Sequence, residues 1–327
     1  MSARQTHWDA AALFLCCSPA FSTLASAADP YPNKVVRIVA PMAPGGSTDV
    51  MARIVSQKLA EKWAQSVIVD NRVGASGNVG SEMVAKSAPD GYTLLVAGAP
   101  TAINMSLFRN LRFDLAKDFS AITAVASFPS LIAVHPSLPA FNVKELIALA
   151  RAHPDQLNFG SAGNGSPNHL SMELFKSMAN VKMIHIPYKG SGQVMTDLIA
   201  GQLQLASVGL PPAMPMVSAG KLRVIAVTSL KRSPLLPAAA TVSESGLSGF
   251  EVSSWQGLFA PAGLPRDVLT RINGDMVNAL AGNDIKDRLA TLGAEPMPMS
   301  PDDFARFVQA EIAKWAKVVK VSGATID

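Results

Sequence analysis

Three times along this 327-residue chain a short β-branched strand runs into a glycine-rich turn and then into an amphipathic helix. In the first unit Lys34 to Ala40 (KVVRIVA) leads into PMAPGGSTD, Pro41 to Asp49. Val50, Met51, Ile54, Val55, Leu59 and Trp63 then follow at helical spacing. In the second, LNFGS precedes AGNG, Ser166 stands as N-cap with Pro167 at the first helical position, and Leu170, Leu174 and Met178 mark a helical face. In the third, MIHIPY is the strand, KGSG the turn and Gln193 to Ala200 the helix, with Gly201 closing it. Further strands are predicted at Val67 to Val69, Tyr92 to Ala97, Ile122 to Ala126, Leu131 to Val134, Leu203 to Val208, Leu222 to Thr228 and Gln256 to Ala260. Helices follow at Arg266 to Leu280, Asp284 to Leu289 and Pro301 to Lys320, with Trp315 on the packing face. This alternation implies an α/β fold with parallel-rich sheets and helices on both faces.

A hydrophobic share of 49% and a charged share of 16% describe a folded globular protein and exclude disorder, collagen-like repeats and a polytopic membrane protein. The length suits two domains at roughly 150 residues each. Residues 1–27 read as an export signal: Arg4, an apolar run from Ala10 to Cys17, then Ala25-Ser26-Ala27 as an A-x-A cleavage pattern. Cleavage is expected after Ala27, giving an exported, soluble mature chain. A lipoprotein signal is the poorer fit, because Leu15 precedes Cys16 and another cysteine precedes Cys17. Those are the only two cysteines, so the mature chain has no thiol, and cysteine nucleophiles, zinc-thiolate sites and iron–sulfur clusters drop out. Beyond residue 28 no apolar stretch reaches the ~18 residues that span a bilayer. The net charge of +4 is thinly spread, and its densest point, Lys231-Arg232, lacks interleaved aromatics, which argues against nucleic acid.

Catalytic signatures are missing from the glycine-rich turns. Gly74-Ala75-Ser76-Gly77 continues with Asn78 and Gly246-Leu247-Ser248-Gly249 with Phe250, so neither is a G-x-S-x-G elbow; there is no Walker A lysine and no H-E-x-x-H. His135, His153, His169 and His185 are scattered singly, and His185, between Ile184 and Ile186, reads as a structural histidine. Asp302 and Asp303 fit a helix start. What remains is a set of backbone donors. Gly45 and Gly46 permit a tight bend, and Ser47, Thr48 and Asp49 open a helix whose first N–H groups have no intrahelical partner, a preferred anion site. Asp49 suits loop orientation rather than ligand contact. A second set runs from Gly160 to Ser166 and a third, containing Ser76, from Gly74 to Gly80 ahead of a helix starting near Ser81; Lys189 is the only cation within these loops. At the carboxyl ends of strands all would face one crevice. Without a lysine or bidentate arginine dedicated to phosphate, a carboxylate is the better fit.

The runs YPNKVVRIVAPMAPGGSTDVMARIVSQKL, VIVDNRVGASGNVGSEMVAKSAPDGYTLL, NFGSAGNGSPNHLSMELF, HIPYKGSGQ and WQGLFAPAGLP, in this order, closely resemble the Bug family, the TctC-like periplasmic solute receptors of tripartite tricarboxylate transporters. The resemblance covers the mature chain from Tyr31. It implies a class II periplasmic binding-protein fold, two α/β domains closing on a small organic acid, a monomer without cofactor or metal, and delivery to membrane subunits of the TctA/TctB kind. Domain 1 would comprise 28–127 and 252–327, and domain 2 would comprise 128–251, with crossings near Ser127 to Leu131 and Val252 to Gln256. Trp255 beside the return crossing is expected to pack.

Carried over by residue, Gly45, Gly46, Ser47 and Thr48 would form the first clamp. Ser161, Ala162, Asn164, Gly165 and Ser166 would form the second, flanked by Tyr188, Lys189 and Gly190, with Gly98 and Thr101 also lining the cleft. Where many relatives carry an FDN-type segment, this chain has Ser207-Val208-Gly209-Leu210-Pro211, so no acid is present to read an amino group. A plain carboxylic acid, with room for an apolar or aromatic tail, is expected over an amino acid. Two other readings stand beside this one. An exported enzyme would need a base within reach of Ser47, Ser76, Ser161 or Ser166, and His169, three residues after Ser166, is the near candidate, otherwise a surface or capping histidine. A ligand-sensing adaptor would use the same clamp with a signalling receptor as partner.

Overall fold

β1 (Val36–Ala40) is apolar on both faces, with Val36, Ile38, Val39 and Ala40 fully buried, as a strand covered by helices on either side must be. It pairs in parallel with β2 (Val67–Asn71) and β3 (Thr93–Gly98). α1 (Ser47–Trp63) returns over them, burying Met51, Ile54, Val55, Leu59 and Trp63 as their spacing predicts. This computed structural model describes residues 31–324 together with Met1 and Ser2. The export segment, its cysteine pair and the cleavage position lie outside the described residues. From Pro32 onward the chain forms one unit.

The sheet order is β2-β1-β3-β9-β4-β7-β5-β6, with β9 at Ser253–Pro261, β4 at Phe119–Val134, β7 at Leu205–Gly209, β5 at Asn158–Ser161 and β6 at Ile184–Pro187. β8 (Arg223–Val227) and β10 (Glu295–Pro296) pair with β4 off this path. β5 runs parallel to β6 and β7, repeating the arrangement around β1. The joint between the two parallel regions is β4. Its residues Phe119 to Pro129 pair antiparallel with β9, and its residues Ser130 to Val134 pair with β7. The two strands predicted at Ile122 to Ala126 and Leu131 to Val134 are therefore one strand of sixteen residues. Pro129, which has no N–H to offer a ladder, sits where β4 changes partner.

Thr228, fully buried just beyond β8, ties this joint together. Its N–H donates to the Ser130 carbonyl and its carbonyl accepts from Val252 N–H. Its hydroxyl lies 2.9 Å from the Ser130 carbonyl and 2.6 Å from that of Val252. The apolar core is continuous across the joint, running from Val39 and Leu95 through Ile132 and Phe159 to Phe175 and Trp315. Trp255 packs as expected, at 1% exposure, and both its indole N–H and that of Trp315 donate to the buried carboxylate of Glu311.

The remaining helices are α2 (Asn78–Ala85), α3 (Ala99–Leu107), α4 (Val143–Ala152), α5 (Pro167–Ala179), α6 (Ser191–Ile199), α7 (Leu210–Ser218), α8 (Arg266–Ala281), α9 (Asn283–Thr291) and α10 (Pro301–Ser322). Three of them, α3, α4 and α7, have no counterpart among the sequence expectations. On α5, Leu170 is buried as predicted, but Met178 is exposed. Replacing Thr228 with the isosteric valine removes the shared hydroxyl from a buried joint. The expected loss is about 1–3 kcal/mol in urea denaturation with an unchanged m-value, and native-like stability would show that the staple is dispensable.

Candidate ligand-binding cleft

A cleft of about 760 Å³ opens at the carboxyl ends of the parallel strands of both regions. Four helices reach it by their N-terminal ends: α1 through Ser47, α5 through Pro167 and Asn168, α6 through Ser191 and Gly192, and α7 through Gly209 and Pro211. The β4 joint, Phe128 to Ser130, lines it together with Val252 and Ser254 of the returning segment. None of the lining residues carries a charged side chain. The attraction for an anion is thus built from backbone N–H groups, hydroxyls and helix dipoles, which lose little to reorganisation because the fold holds them.

On the first side, the β1–α1 loop is fixed by Asp49, 2% exposed, as its expected orienting role requires. Its carboxylate accepts from Gly45 N–H at 2.9 Å, from Arg53 Nε at 3.0 Å and from Asn71 Nδ2 at 2.9 Å. Burial works against ionisation of Asp49, yet these hydrogen bonds outweigh it and hold the carboxyl below its ordinary range. One consequence corrects the sequence expectation. Gly45 N–H is spent on Asp49 and Gly46 N–H on the Ala43 carbonyl, so the donors left to the cleft begin at Ser47, the first residue of α1. Gly45 and Ser47 line the cleft; Gly46 does not, and Thr48 is buried behind it.

On the second side, Ser161 ends β5, and with Ala162 it lines the cleft. The rest of the expected clamp is structural. Gly165 N–H donates to His169 Nδ1 at 3.1 Å, and with φ of 73° and Leu107 pressed against it, the position requires glycine. Ser166 caps α5 by accepting from His169 N–H, and Asn164 is exposed outside the cleft. Tyr188 donates its N–H to the Ser161 carbonyl and its hydroxyl to Asp197. Burial and that carboxylate push its phenol up to about 12. Lys189 is exposed, and Gly190 is the N-cap of α6; none of these three lines the cleft. α6 begins at Ser191, two residues before the predicted start, and this places Ser191 and Gly192 in the wall.

Gly98, Thr101 and Ser76 also lie outside the cleft. A Cβ at Gly98 would stand 1.9 Å from the Trp255 carbonyl, so the glycine permits β3 and β9 to meet, while Thr101 is buried on α3. Ser76 belongs to the third donor loop, a 3-10 turn (Ala75–Gly77) beside Pro41 and Met42, and its carbonyl accepts from Asn104 Nδ2. The cleft instead includes residues that the loops did not suggest. Asn168 Nδ2 donates to the Ser207 carbonyl at 2.7 Å, and Ser207, a lining residue that is 1% exposed, keeps a buried hydroxyl without a hydrogen-bond partner in the protein. A buried unpaired hydroxyl costs free energy until something meets it.

His169 and His185 form the largest departure from the sequence reading. His169 is buried rather than a surface residue, and its ring stacks on His185 with centroids 3.8 Å apart, with Phe159 stacked against both rings at 4.9 Å from His185 and 6.3 Å from His169. His185 Nε2 stands 2.6 Å from Ser161 Oγ. His169 Nε2 faces Glu173 at 3.7 Å, and Lys176 Nζ bonds the same carboxylate at 2.7 Å. Burial, reinforced by the facing His169, lowers His185 from 6.5 to about 4, so it is neutral near pH 7. Among the described residues no group of three or more His, Cys, Asp or Glu is placed to hold a metal ion.

The class II periplasmic binding-protein architecture, with a neutral donor-lined cleft between two parallel-sheet regions, defines a solute-binding receptor. Residues 51–324 match the tripartite tricarboxylate transporter family receptor model. Protein BugT of Bordetella pertussis is 35% identical over 91% of this chain and 92% of its own length. Among solved structures, R. palustris Rpa4515 with adipate is 39% identical with a TM-score of 0.74, covering 90% of this chain and 100% of that one. MatC of Rhodopseudomonas palustris with bound malate is 32% identical with a TM-score of 0.70, covering 88% and 100%. The chain belongs to the tripartite tricarboxylate transporter receptor family.

A group whose folded pKa is depressed destabilises the fold as it is protonated. The unfolded state takes up the His185 proton below about 6.5, which the folded state refuses until about 4. The melting temperature should therefore fall as pH drops through that window, and the His185→Gln variant should lose less across it. Parallel pH profiles for the two proteins would contradict the half-buried neutral histidine.

Proposed function

We propose that this protein captures a small organic carboxylate in the periplasm and hands it, as a closed complex, to membrane subunits of the TctA/TctB kind. The observation that carries this reading is the convergence of helix N-termini on a cleft wall without a charged side chain. Such a wall suits an anion that accepts several N–H and O–H bonds. Adipate and malate in the two solved relatives are of that class. The lobes would be 28–127 with 252–327, and 128–251, each contributing half of the donors, so that only closure satisfies both halves of the ligand and shifts the population toward the closed state. The hinge falls at the β4 joint and the returning segment at Val252. The protein acts as a monomer, and the absence of an acid at Ser207-Val208-Gly209 disfavours amino acids.

The Ser161–His185 contact supplies the base that an enzyme would need, so catalysis is the second reading. We favour a positioning role. The Glu173 carboxylate faces His169 Nε2, and the Ser161 hydroxyl is also within reach of Gly163 N–H and its carbonyl. Incubating adipate and malate with the protein and following them by NMR should show both unchanged; consumption of either would bring the enzyme reading forward.

Ser47→Pro provides a sharp test of the clamp, because proline at the first helical position is tolerated and removes one N–H. Gly46 at φ −74° and ψ 166° is already in the conformation that a following proline demands. Titration calorimetry with whichever of adipate and malate binds the native protein should show at least ~10-fold weaker binding for this variant, since one charge-assisted hydrogen bond is worth about 1.5–3 kcal/mol, at an unchanged melting temperature of the free protein. Undiminished affinity would remove α1 from the site.

A further inference from the structure

Resting on the carboxylate reading, we propose that the ligand carries one carboxylate and an extended apolar tail, and that the tail lies along α6 against Met195, Ile199, Met216 and Leu292. Apart from Ser47 of α1 and Ser130 and Ser254 at the joint, the free donors of the cleft gather at the starts of α5 and α6. Ser161, Asn168, Ser191 and the unpaired Ser207 hydroxyl stand at the strand ends and at the first turns of α5 and α6. From Ser191 onward the same face of α6 presents Met195 and Ile199, one and two turns away, which at 1.5 Å per residue is about 6 and 12 Å along the helix from Ser191.

The polar groups along that path are already spent or missing. The Thr196 hydroxyl donates to the Gly192 carbonyl of its own helix at 3.1 Å. α7 points its positive end at the cleft, but its first turn carries Pro211 and Pro212, which have no N–H, so a second anion there would meet Leu210 as the one donor in the first three positions. Leu292 and Met216 also line the cleft. A second carboxylate at this distance would be stripped of water among thioethers and methyl groups without a compensating charge, which is strongly unfavourable. A methylene chain or an aryl ring gains there, because each buried CH₂ is favourable and the methionines adapt to its shape.

The test is a calorimetric series on the native protein, freed of bound ligand, with propionate, octanoate, 4-phenylbutyrate, malate and adipate, repeated on Ile199→Asn. Octanoate or 4-phenylbutyrate should bind at least tenfold more tightly than propionate, malate or adipate. Ile199→Asn should cost the tailed acids at least fivefold while leaving propionate unchanged. Adipate or malate binding as tightly as the tailed acids would overturn the proposal and leave the carboxylate reading standing. Failure of every acid in the series would overturn both. The ligand comparison stands on the native protein alone, so misfolding of the variant does not remove the test.

Discussion

A parallel strand followed by a helix that packs back on the sheet delivers that helix N-terminus first to the carboxyl edge of the strand. β1–α1, β5–α5, β6–α6 and β7–α7 all obey this constraint, and the cleft is the place where their four positive ends meet. The chemistry of the site is therefore a consequence of the fold rather than of a few charged side chains. Asp49 illustrates the division of labour: the one carboxylate near the first clamp is turned into its own loop, held by Gly45, Arg53 and Asn71, and does not reach the cleft as a competing anion.

The second dependence is on the joint. β4 belongs to both sheet regions, and Thr228 fixes its turning point at Ser130 to the returning segment at Val252. Residues on either side of that staple, Phe128 to Ser130 and Val252 with Ser254, are themselves cleft wall. The joint thus aligns the two donor sets and bounds the ligand at the same time. Behind it a continuous core, with Trp255 and Trp315 anchored on Glu311, gives the wall a rigid backing.

Much of the fold was legible because its strands and helices carry strong periodicity and explicit caps. Ser166-Pro167 marks the start of α5 to the residue, and α1 buries the side chains that its spacing singles out. α7 was not legible, since LPPAMPMVS reads as a breaker although prolines at the first turn are acceptable to a helix. α4 had a signal, Asn142 as cap before Val143, Leu146 and Ala150. The site was read in part. Glycines in turns announce tight backbone but do not say whether their N–H groups point at a ligand or at their own loop, so Gly46, Gly165 and Gly190 look alike in sequence and serve different ends. Gly98 answers to a strand contact with Trp255, visible only in three dimensions. Ser207, Asn168 and the His169–His185 stack depend on contacts between segments far apart in the chain, for which local pattern has no marker.

The central claim is that backbone N–H groups at helix starts, rather than side-chain cations, hold the ligand carboxylate. Amide ¹H–¹⁵N spectra recorded during titration with a bound carboxylic acid test it directly. The account predicts saturable downfield proton shifts at Ser47 and at Ser191 and Gly192, from the two sides of the cleft, at one common dissociation constant. Shifts confined to arginine or lysine side-chain signals, with those three amides unmoved, would contradict it.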